Sequence, residues 1–181
     1  MRAHQARGQC PRLDWAVDHG VSQGAKSDSA ACEPIEWSLR QAEASDLELI
    51  VDLQAVVVRD DLERLGAFDP HELRRYLYAT FSPQHMWIVM VDGAFAGCAA
   101  LVPVPAGWRM RHFYLRPELH NRGVGTAVLR TLLERADRAG VTVELAVYRG
   151  SAAQRLYERH GFTVVGQRER AVEMVRPATT P

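Results

Sequence analysis

The sequence predicts a mixed α/β (α+β) domain: a mostly antiparallel twisted sheet of about seven strands, with four helices. Three observations carry this. Three apolar runs between Met86 and Leu115 are separated by Asp92-Gly93 and Ala106-Gly107, the pattern of an antiparallel meander. The third run passes through a glycine-bearing turn into an amphipathic stretch of helical period. A β-branched run at Val141–Val147 follows, so strand, helix and strand form a βαβ crossover whose two strands lie parallel.

Composition narrows the class. The chain has 181 residues, 47% of them hydrophobic, enough for one domain with a sizeable core. Lys+Arg and Asp+Glu number 22 each, so bulk electrostatics gives no reason to expect a nucleic-acid partner. Three cysteines (Cys10, Cys32, Cys98) without metal spacing form neither a disulfide framework nor a metal site, which suggests a reducing compartment. No apolar run approaches the ~18 residues needed to span a membrane. Arg2 and Arg7 precede no apolar h-region before Asp14, so a cytoplasmic protein without a signal peptide is expected.

Residues 1–34 show no sustained period and read as a flexible tail; residues 35–177 form the domain and 178–181 a short C-terminal tail. Trp37–Arg40 alternates as a strand. Ser45-Asp46-Leu47-Glu48 reads as a capping box opening a helix with Leu47, Ile50, Val51, Gln54 and Val58 in its stripe, which gives out near Arg59. Asp69-Pro70 starts a second helix with Leu73, Tyr76 and Leu77 on its apolar face. The meander follows. The next helix, from about Val124 to Arg138, presents Val124, Val128, Leu132, Leu133 and Ala136 inward and stops at Gly140. Val141–Val147 is expected to be buried on both faces except at Glu144. Ser151-Ala152-Ala153-Gln154 is a second capping box before a short helix ending at Gly161. Phe162–Val165 and Ala171–Val175 close the chain as a hairpin.

The informative stretch is Leu115 to Leu129. A strand, a glycine turn and a helix start direct unpaired N–H groups and the positive end of a helix dipole at one point, which suits an anion such as a phosphate. It is no P-loop, because no Lys follows the second glycine. It is no dinucleotide fingerprint, because Val128 stands where a third small residue belongs and the turn follows a meander. A glycine turn with no ligand is the packing alternative.

Two motifs in order decide the reading. His120-Asn121-Arg122-Gly123-Val124-Gly125 resembles the acetyl-CoA signature of the GNAT superfamily of N-acetyltransferases, and Tyr157-Glu158-Arg159-His160-Gly161-Phe162 resembles its second motif, one strand later. The element order over residues 37–176 is similar too. The resemblance implies a GNAT-like sheet with a splayed parallel pair holding acetyl-CoA as cosubstrate. Pantetheine would pair with backbone near Tyr114 and Leu115. The pyrophosphate would lie on Arg122, Gly123, Val124, Gly125 and Thr126. His120 departs from the usual Gln or Arg, though imidazole can still bond a phosphate. Gly150 replaces a common Asn, so Ser151 or Gln154 would supply local polar contacts.

The chemistry sets further requirements. An alkyl amine of pKa near ~10.4 is about one part in a thousand neutral at pH 7, so a base is useful, and a leaving thiolate benefits from an acid. By resemblance Tyr157 is the acid, with packing on Phe162 as its alternative. Many members carry a Glu on the strand before the turn, but Arg111 stands there. His112 is adjacent, on the opposite face by strand alternation. Glu144 in a buried strand is the other candidate base, with pairing to Arg109 or Arg111 as the alternative. Asp60, Asp61 and Glu63, near the first two helices, would suit a cationic acceptor. The expected acceptor is a small-molecule or peptide amine, and the protein a monomer or homodimer. Its competitors are a non-catalytic acyl-CoA-binding module and a nucleotide-binding domain.

Overall fold

The structure is a computed structural model and describes residues 35–179. The expected tail over residues 1–34, with Cys10 and Cys32, lies outside the described residues, as do residues 180 and 181.

Seven strands form one sheet in the order β1-β2-β3-β4-β5-β7-β6. They are β1 (Trp37–Gln41), β2 (Met86–Val91), β3 (Ala94–Val104), β4 (Gly107–Leu115), β5 (Val143–Tyr148), β6 (Thr163–Gln167) and β7 (Ala171–Arg176). Among the described residues only the β4–β5 pair is parallel, as the crossover requires. Asp92 and Gly93 turn the β2–β3 hairpin with φ of 49° and 76°, the left-handed pair that a two-residue turn needs.

The α-helices are α1 (Leu47–Val57), α2 (Arg59–Arg64), α3 (Pro70–Thr80), α4 (Val124–Arg138) and α5 (Ala153–Glu158). Among the described residues that is one more than the four expected. The extra helix is α2: the chain does not unwind at Arg59 but restarts, with Leu62 buried against Val58 and Leu73. The first capping box also shifts. It lies two residues earlier, at Glu43-Ala44-Ser45-Asp46: Glu43 is the N-cap, and Asp46 three residues on accepts from the Glu43 backbone N–H at 2.8 Å while Arg40 pairs with it. Asp69 caps α3 as expected, its Oδ1 accepting from His71 and Glu72 N–H.

Two apolar layers cover the sheet. Val124, Val128, Leu129, Leu132, Leu133 and Ala136 of α4 pack with Val143, Leu145, Tyr157 and Phe162 on one face. Burying each larger aliphatic side chain there contributes up to about 1.5–3 kcal/mol. Ile50, Val51 and Leu77 of α1 and α3 cover Met86, Ile88, Cys98 and Ala100 on the other. Arg176 ties the end of β7 to α4 through two hydrogen bonds to Asp137, at 2.7 and 2.8 Å. β5 is not buried on both faces: Val143, Leu145 and Val147 are buried but Ala146 is exposed. The reason is the gap beside it.

Candidate active site

β4 and β5 touch as strands at two positions, Trp108–Val143 and Arg109–Glu144. Beyond these β4 runs on to Leu115 and β5 to Tyr148 without pairing, so a wedge opens between them. A bulge helps to bend β4 away. Cys98 faces Tyr114 and Ala100 faces Arg111, which leaves two β4 residues, His112 and Phe113, opposite Ala99. His112 takes the left-handed conformation, with φ of 52°. This costs a non-glycine residue roughly 1–2 kcal/mol.

The bulge overturns the simple alternation expected for His112. Phe113 packs in the layer under α4 and α5. His112 faces α3, with its ring 5.7 Å from that of Tyr76 and 6.0 Å from that of Tyr114. Its neighbour Arg111 opposes Ala100, which lies in the same layer under α1 and α3. His112 and Arg111 therefore share a face. The imidazole is 5% exposed, and burial, reinforced by the Arg111 charge, pulls its pKa down to about 4. Its Nε2 lies 2.9 Å from Thr80 Oγ1, and its Nδ1 is buried without a partner among the described residues.

At the mouth of the wedge the glycine turn leaves a row of backbone donors free. After a short turn of 3-10 helix at Pro117–Leu119, Asn121 and Gly123 adopt φ of 58° and 83°, and α4 begins at Val124 without a side-chain cap. The backbone N–H groups of Asn121, Arg122, Gly123, Val124, Gly125 and Thr126 have no acceptor among the described residues. Consecutive unpaired donors at a helix N-terminus form an anion cradle. A side chain at Gly123 would meet open space, so that glycine serves the backbone angle; one at Gly125 would meet Leu115 Cδ1 at 3.2 Å, so that glycine also lets the turn pack on β4. His120 also has a partner within the fold. Its Nε2 donates to the Leu115 carbonyl at 3.0 Å and ties the turn to the end of β4.

Tyr157 and the wedge share a wall. Its ring packs 6.4 Å from Phe113 of β4 and 5.6 Å from Phe162, so the packing alternative and proximity to β4 hold together. Its hydroxyl has no hydrogen-bond partner among the described residues, and burial alone pushes its pKa up. Glu144 lies at the base of the wedge, where Arg109 Nε donates to it at 2.5 Å. Ser151 Oγ accepts from Ala153 N–H at 3.3 Å, but Gln154 bonds Glu158 instead of closing the capping box. The helix accordingly starts at Ala153, not Ser151.

On the α1–α3 side, Asp61 pairs with Arg64 at 2.7 Å and Glu63 with Arg59 at 3.4 Å, so two of the three acids expected to meet a cationic acceptor are paired. Arg64 lies against Gly150, where a Cβ would meet its Nη1 at 3.1 Å. Tyr148 packs with Val58, Leu62 and Leu73. Gln54 Nε2 donates to the Tyr114 hydroxyl at 3.2 Å. Gln54, Tyr76 and Thr80 were not site residues in the sequence reading. Tyr76 and Thr80 are one helical turn apart on α3, but nothing in the sequence says that β4 bulges towards them.

With this geometry in hand, comparison with known proteins is direct. The family model described as the Acetyltransferase (GNAT) family matches residues 54–162, more than half the chain. The chain belongs to the GNAT acetyltransferase family. The match runs from α1 through the glycine turn to Phe162 and so contains both motifs. No match is found among curated proteins. Among solved structures, this GNAT chain is similar in fold to the PaiA N-acetyltransferase of Thermoplasma acidophilum in complex with coenzyme A, at 15% identity and a TM-score of 0.65, covering 78% of this chain and 99% of that one. It is similar to the ribosomal-protein-S18-alanine N-acetyltransferase of Escherichia coli, at 19% identity and 0.63, covering 80% and 96%. The N-acetylglutamate synthase of Neisseria gonorrhoeae, complexed with coenzyme A and L-arginine, matches at 18% identity and 0.55, covering 78% of this chain and 33% of that one. Among the described residues of this GNAT domain, no helix is long and apolar enough to cross a membrane.

Proposed function

We propose that the chain transfers an acetyl group from acetyl-CoA to a primary amine of a small molecule or peptide, by direct attack in a ternary complex. The observation that carries this is the run of unpaired N–H groups from Asn121 to Thr126 at the mouth of the β4–β5 wedge. The pyrophosphate of coenzyme A lies on that cradle, with Arg122 covering it. Pantetheine follows the β4 edge past Leu115 and Tyr114, which brings the thioester towards the bulge. Tyr157, packed on Phe113, gives its proton to the departing thiolate, and a backbone N–H near Leu115 meets the oxyanion. Ser151, whose Oγ accepts from the Ala153 N–H, holds the start of α5 beside the cofactor, and the side chain of Gln154 adds a polar group there. The catalytic unit is residues 35–177, working in the cytoplasm.

The test is an acetyl-CoA turnover assay across a panel of amines, peptides and amino acids, paired with calorimetric titration of coenzyme A. Free thiol appearing with at least one amine supports the reading. Tight coenzyme A binding with no turnover on any amine favours a non-catalytic acyl-CoA-binding module instead.

A further inference from the structure

The tautomer of His112 can be worked out from its surroundings. Thr80 Oγ1 donates its single hydrogen to the Tyr76 carbonyl, at 2.7 Å. It therefore has only lone pairs to offer His112 Nε2, 2.9 Å away. With the hydroxyl hydrogen on that carbonyl, Nε2 carries the proton. In a neutral imidazole Nδ1 is then a bare lone pair, and among the described residues that atom is buried without a partner.

Two costs fall on this one residue. The fold holds a non-glycine side chain at φ of 52° and leaves its buried nitrogen unsatisfied. Either is unusual, and strain and orphaned polar atoms concentrate where a site needs them. Among the described residues, the titratable and charged groups around the ring are Tyr76 of α3, Arg111 and Tyr114 of β4, and Cys98 of β3, whose Sγ donates to the His112 carbonyl. None is a carboxylate that would hold a proton on the ring. Of the two tyrosines, Tyr114 is pinned by Gln54, whereas Tyr76 is 49% exposed. An exposed side chain changes rotamer in picoseconds to nanoseconds, so Tyr76 is the movable wall.

We propose that His112 is the base of the acetyl transfer, that Thr80 is the positioning residue which leaves its Nδ1 lone pair free, and that Tyr76 swings aside to admit the acceptor amine. This rests on the acetyltransferase reading above. The amine nitrogen forms the bond to the thioester carbon and its proton passes to Nδ1. The tetrahedral intermediate collapses, the C–S bond breaks, and the thiolate takes a proton from Tyr157. The imidazolium then returns its proton, through solvent, to the tyrosinate, so the net change moves one proton from amine to thiol.

The experiment uses the full chain with Thr80→Val, Thr80→Ser and His112→Asn. Asparagine tolerates the left-handed conformation, so the last variant keeps the bulge. Nitrogen-15 spectra of the imidazole read the tautomer, and steady-state kinetics with the best amine of the panel reads the rate. The expected result is Nε2–H in the wild type and in Thr80→Ser. In Thr80→Val the tautomer is mixed and kcat falls about tenfold at unchanged KM for acetyl-CoA. For His112→Asn the expected loss in kcat is about 10²–10⁴-fold, the usual contribution of a positioned base, with coenzyme A affinity retained. Wild-type turnover with an unimpaired His112→Asn, or a changed tautomer in Thr80→Val at full rate, overturns this role alone. No wild-type turnover on any amine overturns the parent reading and this role with it.

Discussion

Arg109 and Glu144 form the last cross-strand pair that holds β4 to β5 before the two strands part. Their ion pair closes the base of the wedge. With side chains 43% and 29% exposed, the pair contributes modestly, within about 1 kcal/mol. Glu144→Gln is therefore expected to lower stability by less than about 1 kcal/mol in urea unfolding, and to lower kcat by less than about threefold. A loss near 10²-fold would return Glu144 to the role of base.

Tyr157 is expected to separate chemistry from folding. Tyr157→Phe keeps the ring between Phe113 and Phe162. The midpoint of thermal unfolding should hardly move, while kcat drops by about 10²-fold at unchanged KM for acetyl-CoA. A full rate would leave thiolate departure to solvent.

At the glycine turn, Gly125→Glu places a carboxylate among the unpaired donors and a Cβ 3.2 Å from the Leu115 methyl. Calorimetry should show coenzyme A affinity reduced by at least about 10²-fold, equivalent to about 3 kcal/mol. Gly125→Ala makes the same steric contact without the charge and should cost far less. Equal losses in the two would mean that packing on Leu115, rather than the anion cradle, governs the site.

His112 links stability to pH. Its folded pKa is lowered to about 4 by burial, against about 6.5 in an unfolded chain. Between those values the unfolded state binds more protons, so stability rises with pH through this window and is lost as pH falls towards 4. The full contribution is about 3 kcal/mol. Denaturant titrations from pH 4 to pH 7 should show that slope in the wild type and a flatter one in His112→Asn.

The sheet was legible because its signals are local. Asp92-Gly93, Asp69-Pro70, the α4 stripe and Gly140 each specify backbone geometry within a few residues, and each appears where the sequence places it. The glycine turn was legible for the same reason. What escaped depends on distant contacts. The β4 bulge is set by register against β3, so the shared face of Arg111 and His112 could not be read from alternation. Glu144 looked like a buried carboxylate because the wedge that exposes Ala146 beside it is a property of two strands. Gln154 met the spacing of a capping box, yet Glu158 one turn on competed for its amide and won. Thr80 matters only because the bulge turns His112 towards it.

The bond from His120 to the Leu115 carbonyl has a consequence for ligand choice. It ties the glycine turn to the end of β4, so the span from turn to bulge becomes a ruler written into the chain. On the proposed reading, a donor is measured by the length of its arm as much as by its charge. A thioester without the nucleotide end would meet the same strand with nothing to set where its carbonyl stops.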